Sequence, residues 1–362
     1  MARTAGGRQR IELIGSELFR YRITDSSDMR RVISRLRRDP RVRFAQPDYV
    51  YALAEGGAAA SRTEHPQYVV RAMHLEQAHA LVKGEKVRVA LIDSAVDAGH
   101  PELAGAIVKQ IDVIGDNDLS PHPHGTAMAG AIVAKSQLTG VAPAAQIVAV
   151  RAFSPRPSAK ASGTSFALVR AVDGAVTAGA RVINLSFAGP ADPILSRALK
   201  RAHERGIVLV AAMGNAGPGS ASRYPAADPS VIAVTATDAD DRLFPGATQG
   251  SYVALAAPGV DVLVPAPHAE YGLSTGTSVA AAHVSGVVAL LLARNAALSP
   301  ERIRSILVTS ARAPLRTAPD PAIGAGIADA YRAVLAADAG PVAKPGASQP
   351  AAAADRPAVS MQ

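Results

Sequence analysis

Short runs of β-branched residues recur through the middle of the chain, and stretches with helical spacing separate them. Strands that alternate with helices pair in parallel, because each parallel connection has to cross the sheet and a helix supplies the crossing. The pattern predicts an α/β protein with three layers, in which helices cover both faces of a mainly parallel sheet. The strand-like runs are Val87–Ile92, Ile147–Arg151, Val182–Leu185, Ile207–Ala211 and Val231–Ala236. The helix-like stretches are 125–135, 164–178, 192–205, 277–293 and 300–310.

The first 53 residues differ in composition from this middle zone. They contain 12 arginines and six acidic residues, and therefore hold six of the eight net positive charges of the chain. Leu18–Ile23 and Val42–Ala45 alternate like short strands, and a helix is expected from a cap at Ser26 to about Arg38. Residues 1–53 are therefore predicted to form a small α+β unit.

Two segments of small residues set the other predicted boundaries. The stretch AEGGAAAS begins a predicted linker at 54–65, because small and flexible residues follow the arginine-rich unit there. The tail 339–362 is rich in Ala, Pro and Ser and has too few large apolar side chains to build a core, so we expect it to be disordered. Residues 66–338 remain as one large domain.

Composition argues against several classes of function. Only two net positive charges lie beyond the N-terminal unit, aromatic residues make up 4% and Trp is absent, which argues against nucleic-acid binding. No apolar run approaches the roughly 18 residues of a membrane-spanning helix, and no signal peptide is visible. The lack of Cys excludes disulfides, thiolate metal sites and a cysteine nucleophile, but leaves the redox compartment open.

Two candidate catalytic residues stand at the end of a predicted strand and at the start of a predicted helix. Asp93 ends VRVALID, where its carboxylate would emerge at the ligand-binding edge of the sheet, although a helix cap or an ion pair would explain it too. His124 opens HGTAMAGAIVA, where the helix dipole favours the neutral, basic imidazole unless a carboxylate compensates. A structural histidine is the alternative. No metal site is expected, because the sequence lacks a His pair at i, i+4 spacing.

Two more candidates complete a set of groups for acyl transfer. Ser278 begins an alanine-rich helix in STGTSVAAAHVSG, where it would serve either as a nucleophile beside backbone N–H groups or, like Thr277, as a helix cap. Asn215 follows a buried strand in VLVAAMGNAGP, where its amide would point into a cleft or merely serve the turn. His283, in the same helix as Ser278, is expected to be a packed structural histidine. A nucleophile, a base, an orienting acid and a neutral donor are thus all available.

Five segments resemble, in order, the motif blocks of the subtilisin family of serine proteases. They are DSAVD with HPEL, HGTAMAG, INLSFAG, AAMGNAG and GTSVAAAHVSG, between about Tyr68 and Ala311. The order acid, base, nucleophile is that of subtilisins and differs from that of α/β-hydrolases. The resemblance implies a subtilisin-like fold and a serine endopeptidase with the triad Asp93, His124 and Ser278. It also implies that Asn215 is the side-chain donor of the oxyanion hole.

The resemblance further implies where a polypeptide substrate binds. The residues concerned are Ser186, Phe187, Ala188, Gly189, Ala212, Met213 and Gly214. The first four match the strand edge to which the family binds a peptide as an added β-strand, and the last three match the opposite wall of the pocket before the scissile bond. We expect a monomer without a cofactor. Secretion or a periplasmic location is expected because the family is largely exported.

Two other family features are present in part. The segment RVRFAQPDYVY resembles the end of the prodomains that chaperone and inhibit these proteases. It implies a zymogen in which Val50–Gly57 lies in the cleft and is cut by the enzyme itself. Glu102 matches an acidic calcium ligand of relatives, but Lys135–Thr139 is too short for an oxygen-rich calcium loop, so calcium is not expected.

Two alternative readings remain. Alanine replaces residues that are common in the family at Ala95, Ala127, Ala188 and Ala282. Together with the partial prodomain, these replacements favour a catalytically impaired protein that only binds peptides. The acid-acting sedolisins carry a similar SGTS block, but they use a Glu base and an oxyanion-site Asp, where this chain has His124 and Asn215.

Overall fold

A computed structural model describes residues 9–13, 16–23, 27–54, 67–116, 118–156, 159–315 and 320–338. Ser26, most of the predicted linker and the tail 339–362 lie outside the described residues. The domain boundaries expected from composition therefore stay predictions.

The strands of the described residues are short and rich in Val, Ile and Ala. They are β1 (Gln9–Leu13), β2 (Ser16–Arg20), β3 (Val50–Leu53), β4 (Arg88–Asp93), β5 (Ile107–Asp112), β6 (Gln146–Arg151), β7 (Ser154–Arg156), β8 (Ala159–Thr164), β9 (Val182–Leu185), β10 (Phe187–Ala188), β11 (Val208–Ala212), β12 (Val231–Thr237), β13 (Leu255–Pro258), β14 (Val262–Ala266) and β15 (Glu270–Ser274). The five runs predicted as strands correspond to β4, β6, β9, β11 and β12, with ends displaced by at most one residue.

Six of the nine α-helices of the described residues begin where a side chain accepts a free N–H group of the first turn. The nine are α1 (Met29–Arg37), α2 (Tyr68–Ala72), α3 (Leu75–His79), α4 (Pro123–Val133), α5 (Ser165–Thr177), α6 (Pro193–Glu204), α7 (Thr277–Arg294), α8 (Pro300–Ser310) and α9 (Ala330–Ala337). Thr164, Asp192 and Ser299 accept these N–H groups at the starts of α5, α6 and α8. The five predicted helices are α4 to α8, with ends displaced by at most two residues.

The main sheet has seven strands in the order β13-β12-β11-β9-β4-β6-β5, and each neighbouring pair is parallel. All carboxyl ends therefore lie at one edge. The chain enters at β4, continues to β5 and β6 on one side, and then crosses to β9 and the strands beyond it. The winding direction reverses between β4 and β9, which is where open parallel sheets bind their ligands.

Successive residues of the sheet face two separate hydrophobic cores. On β4, Val89 and Leu91 pack into the core that contains α4, α7, α8 and α9. Ala90 and Ile92 face the core that contains α5 and α6. Burial on both faces explains why the inner strands are mostly apolar and do not alternate with polar residues. The predicted three-layer α/β fold is confirmed.

Helix α7 is the central element of one core. Every residue from Thr277 to Leu292 is buried, and the helix packs against α4, β11 and β12. Among the described residues it is the helix that is long and apolar enough to cross a membrane, with a mean hydropathy of 1.5, but 89% of it is buried inside the protein. Its apolar side chains therefore pack inside the protein core. The small side chains in the first half of the helix allow close contact with the sheet.

The N-terminal residues contain a β1–β2 hairpin, helix α1 and strand β3. The strand predicted at Val42–Ala45 is wrong. No strand pairs with that segment among the described residues; instead, the carbonyl oxygen of Ala45 accepts a hydrogen bond from Arg37 Nε at 2.9 Å, and the Phe44 ring lies 5.8 Å from the Arg37 guanidinium. Helix α1 begins after Asp28, whose side chain accepts the Arg31 N–H, and not after Ser26.

A buried ion pair fixes the segment that follows α8. Arg312 donates from Nη1 to Asp241 Oδ2 at 2.7 Å and from Nη2 to Asp241 Oδ1 at 2.8 Å. Both side chains are buried, and the backbone of Arg312 pairs with that of Ile327. The bidentate geometry compensates the desolvation of the two charges, which would be costly for either charge alone.

We expect Arg312→Ala to lower the free energy of unfolding by about 3–5 kcal/mol, because it leaves the Asp241 carboxylate buried without its cation. Thermal or urea unfolding measures the loss. Arg294→Ala is the matched control, since Arg294 makes a similar bidentate pair with Asp338 on the surface. If both variants lose the same small amount of stability, the buried pair does not hold the segment.

Candidate active site

Asp93 is the last residue of β4 and is fully buried. Its Oδ1 lies 2.7 Å from His124 Nδ1 and accepts the backbone N–H of Ser94 at 2.7 Å. A carboxylate can only accept, so Nδ1 of the imidazole carries the proton and Nε2 is left as the basic nitrogen. The sequence motif around Asp93 is interrupted at Ala95, but the carboxylate still meets the imidazole predicted as its partner.

Gly125 allows this contact to form. His124 is the second residue of α4, and the start of the helix lies against the end of β4. A Cβ at Gly125 would stand 2.6 Å from the carbonyl oxygen of Ser94, which is too close for any other residue. The Gly125 N–H also donates to Ser94 Oγ at 3.0 Å. The glycine of the HGT block is therefore required to bring the imidazole to the carboxylate.

Ser278 is the second residue of α7, and its side chain is buried. Its Oγ donates to the carbonyl oxygen of Ala54 at 2.6 Å and lies 3.3 Å from the carbonyl oxygen of Ser186. The hydroxyl is therefore directed at a peptide group of the chain's own N-terminal segment. It does not serve as the helix cap, since the residue at the cap position is Gly276.

Asn215 points its amide at the same carbonyl group. Its Nδ2 donates to the Ala54 carbonyl oxygen at 2.6 Å. Its Oδ1 accepts both the backbone N–H of Thr277 at 3.1 Å and the Thr277 hydroxyl at 2.8 Å. Because Thr277 offers two donors to Oδ1, the NH₂ group must face the cleft. Thr277 thus orients the amide, a role that the sequence did not reveal.

Three buried side chains connect β9 and α7 beneath Ser278. Asn184 Nδ2 donates to Ser186 Oγ at 2.8 Å, and Ser186 Oγ donates to the Ser278 carbonyl oxygen at 3.1 Å. Ser285 Oγ, two helical turns after Ser278, donates to Asn184 Oδ1 at 2.9 Å. Sequence reasoning missed Asn184 and Ser285. Their signal was the presence of polar residues inside an otherwise apolar strand and helix.

Strand β3 lies in the cleft between β10 and β8 and is antiparallel to both. The Ala54 N–H, directly after β3, donates to the Ser186 carbonyl oxygen at 3.1 Å. Tyr51 and Leu53 are 1% and 2% exposed, whereas Val50, at the start of β3, is 53% exposed. The arrangement is that of an extended peptide added to a sheet edge.

The predicted substrate residues divide into two groups. Ser186 bonds to Ala54, and the strand that follows it pairs Phe187 with Leu53 and Ala188 with Ala52. Gly189 faces the Tyr51 ring. Ala212 and Met213 are buried in the cores, and Gly214 donates its N–H to Thr277 Oγ1 at 3.0 Å. No hydrogen bond among the described residues joins these last three to Leu53 or Ala54.

Sequence reasoning also missed β8 as the second neighbour of β3. Its segment reads AKASGT and contains few β-branched or aromatic residues. A Cβ at Gly163 would lie 2.5 Å from the carbonyl oxygen of Ala152, so the glycine permits close approach of the two backbones. The strand exists because β3 pairs with it, and its own residues have low β propensity.

The N-terminal segment also occupies the starts of two helices. Asp48 Oδ1 accepts the N–H of Phe166 at 3.0 Å at the start of α5. At the start of α6, Gln46 Oε1 accepts the Ile194 N–H at 3.3 Å, and Gln46 Nε2 donates to Asp192 Oδ1 at 2.7 Å. The N-terminal ends of helices carry unpaired N–H groups and a partial positive charge, so carboxylate and amide oxygens are favourable partners there.

Glu102 does not fit a calcium site. Its buried carboxylate accepts the N–H groups of four successive residues at 2.6 to 3.0 Å and the Tyr271 hydroxyl at 3.0 Å. Burial alone would raise the pKa of Glu102, but the N–H groups of Ser136, Gln137 and Leu138 outweigh it and hold the pKa below its usual value. Calcium needs oxygen ligands, and here N–H donors surround the carboxylate.

Comparison with known proteins identifies the chain as a serine-type endopeptidase. Residues 84–326 match the model of the Subtilase family, so the chain belongs to that family. It is 36% identical to thermitase of Thermoactinomyces vulgaris over 64% of this chain and 84% of that protein. It is 34% identical to a thermophilic serine proteinase of Bacillus sp. strain AK1 over 75% of this chain and 68% of that protein.

A solved structure has the same fold. Fervidolysin from Fervidobacterium pennivorans, a keratinolytic enzyme related to subtilisin, aligns with a TM-score of 0.72 and 25% identity. The alignment covers 80% of this chain and 51% of fervidolysin, so this chain spans about half the length of that protein. The subtilisin-like fold predicted from the sequence motifs is confirmed.

Stability should fall in mild acid because of His283. Burial lowers its pKa to about 4, although the hydrogen bond from Nδ1 to the Pro258 carbonyl oxygen opposes the shift. The unfolded chain therefore binds more protons than the folded chain between about pH 4 and 6.5, and about 3 kcal/mol should be lost as the pH falls through this range. A plot of the free energy of unfolding against pH should have a smaller slope for His283→Gln than for the wild type. His268→Gln is the control, because His268 is exposed, and its slope should equal that of the wild type. Equal slopes in the wild type and His283→Gln would contradict this.

We expect the turn at Lys135–Thr139 to keep its stability without calcium, because Glu102 already satisfies its N–H groups. A calcium chelator should leave the melting temperature unchanged. Glu102→Gln should cost about 2–3 kcal/mol, because an amide supplies one acceptor oxygen and turns donors towards the N–H groups. Glu76→Gln, at an exposed glutamate, is the control. A marked drop of the wild-type melting temperature with chelator would show that calcium holds this region.

Proposed function

We propose that the chain hydrolyses peptide bonds through an acyl-enzyme, with Ser278 as nucleophile, His124 as general base and Asp93 as the group that orients and stabilises the imidazole. One observation carries the proposal. The carbonyl oxygen of Ala54 accepts hydrogen bonds from Ser278 Oγ and Asn215 Nδ2, both at 2.6 Å, while the Ala54 N–H bonds to Ser186. The backbone of Ala54 is thus held at both its N–H and its carbonyl group, with a hydroxyl and a neutral amide donor at the carbonyl oxygen.

The reaction proceeds in two halves. Ser278 Oγ attacks the carbonyl carbon as His124 Nε2 takes its proton, and the oxyanion receives hydrogen bonds from Asn215 Nδ2 and the Ser278 N–H. His124 then gives the proton to the leaving amine, and the C–N bond breaks. A water molecule, deprotonated by His124, hydrolyses the ester and restores the Ser278 hydroxyl. Asp93 orients the imidazole and stabilises the imidazolium that forms.

The first substrate in this proposal is the chain itself. Strand β3 enters the cleft from the N-terminal side, and Ala54 supplies the carbonyl group that faces Ser278. The bond to be cut would then join Ala54 to Glu55, within the Val50–Gly57 segment predicted from the sequence. Release of the N-terminal segment would vacate the cleft for other polypeptides. Export of the enzyme remains an expectation from the family resemblance.

No observation favours the alternative of a peptide-binding protein without catalysis. The alanines that motivated it do not supply a proton, a lone pair or a hydrogen-bond donor in the proposed mechanism. Ala127 and Ala282 are buried in the core, and Ala188 pairs with β3 as a backbone strand. The sedolisin alternative would need an acidic base where His124 stands.

The decisive experiment follows the N-terminus of the full chain by mass spectrometry and the cleavage of a peptide library. The wild type should shorten to begin at Glu55 and should cleave peptides, whereas Ser278→Ala should do neither. Asn215→Ala should slow turnover about 10²–10³-fold, because it removes one oxyanion donor.

Ser310→Ala is the control, because Ser310 is a buried serine at the end of α8, away from the cleft. It should keep both activities and its reaction with a fluorophosphonate probe. Shortening of Ser278→Ala at the same bond without added protease would refute self-cleavage. Peptide cleavage by that variant would refute the proposed nucleophile.

A further inference from the structure

The side chain of Tyr51 fills a closed pocket beside the cleft. Tyr51 is the fourth residue before the bond proposed to be cut, counting back from Ala54. Its ring is 1% exposed and packs edge-on against Phe187, with ring centroids 5.7 Å apart and an interplanar angle of 85°. Phe187 in turn lies against Phe153, with centroids 5.1 Å apart. Such aromatic pairs add attraction beyond the area they bury.

Gly189 makes room for this ring. A Cβ at position 189 would lie 2.3 Å from Cδ1 of Tyr51 and 2.6 Å from its Cε1. Any side chain here would therefore displace the ring. The backbone of Gly189 is fixed by a pair of hydrogen bonds with Tyr224, so the pocket wall cannot easily withdraw. The pocket is shaped for a flat aromatic side chain.

The closed end of the pocket is polar. The Tyr51 hydroxyl lies 3.1 Å from the carbonyl oxygen of Pro190 and 3.3 Å from Oδ2 of Asp192, and its single hydrogen is shared between these two acceptors. Asp192 is buried. Burial and the Asp192 charge both raise the pKa of Tyr51, so the phenol stays protonated and remains a donor.

The two oxygens of Asp192 have separate partners. Oδ1 caps helix α6 by accepting the N–H groups of Ile194 and Leu195, both at 3.0 Å, and it also accepts Gln46 Nε2. Oδ2 faces the phenol of Tyr51. The helix therefore holds the carboxylate in place through one oxygen and leaves the other for the occupant of the pocket.

We infer that Asp192 makes this protein select tyrosine over phenylalanine at the fourth residue before the cleaved bond. The inference rests on the proposed function. A phenylalanine ring fills the same space, but it leaves Oδ2 of the buried Asp192 carboxylate without the donor that the phenol supplies. A site built for a hydroxyl discriminates strongly against the analogue that lacks it.

The test compares the peptides Tyr-Ala-Leu-Ala and Phe-Ala-Leu-Ala, each with the same chromogenic amide after the last alanine. With the full chain as produced, kcat/KM should be about tenfold higher for the tyrosine peptide. Asp192→Ser should reduce this ratio to about one, because a serine keeps the cap of α6 and lacks the second oxygen. Since each enzyme is its own reference, a loss of stability in the variant cancels in the ratio.

A second arm uses self-cleavage of the full chain. Tyr51→Phe and Asp192→Ser should each slow shortening, and the double variant should be no slower than the slower single variant, because both remove one contact. Tyr49→Phe is the matched control. It also removes a phenol hydroxyl, two residues before Tyr51, but this hydroxyl has no hydrogen-bond partner among the described residues. It should shorten at the wild-type rate.

The outcomes separate the two proposals. Cleavage of both peptides with kcat/KM values within about twofold of each other overturns the preference and leaves the endopeptidase intact. A tenfold preference that survives in Asp192→Ser overturns the role of Asp192. A chain that cleaves neither peptide and does not shorten overturns the proposed function, and the inference with it.

Discussion

The common direction of the seven strands of the main sheet is the constraint on which the site depends. Parallel pairing puts the end of β4, which carries Asp93, at the same edge as the turn after β11, which carries Asn215. The sheet cannot bring the imidazole and the hydroxyl there by itself. Two helices do so with their first turns, α4 through the glycine contact at Gly125 and α7 through its row of small residues beginning at Ser278.

The fold was predictable because its main strands are buried on both faces. Strand β9 is short, β-branched at its start and apolar except for Asn184, and its ends were predicted without error. Strands β3 and β8 were not predicted, because they become strands by pairing with each other, β3 also with β10 and β8 also with β7. Val42–Ala45 shows the reverse case, since its alternation is strand-like but no partner strand is present among the described residues.

The groups proposed for the reaction could be located in the sequence, whereas the residues that orient them could not. Asp93, His124, Ser278 and Asn215 stand in recognisable blocks, and their contacts with one another or with Ala54 follow from those blocks. Thr277, Asn184 and Ser285 act through hydrogen bonds to residues that lie far away along the chain. Such pairings depend on packing between the sheet and α7, and no local pattern encodes them.

Under the proposed self-cleavage, the strand in the cleft has a consequence for how activity begins. While β3 and the catalytic domain are parts of one polypeptide, occupation of the cleft is intramolecular, and its effective concentration is of the order of millimolar. A free peptide at ordinary concentration competes poorly with it. A single cut in the connection would leave every contact of β3 in place but would make them bimolecular. Dilution would then empty the cleft, so the onset of activity would be governed by the volume into which the protein is released.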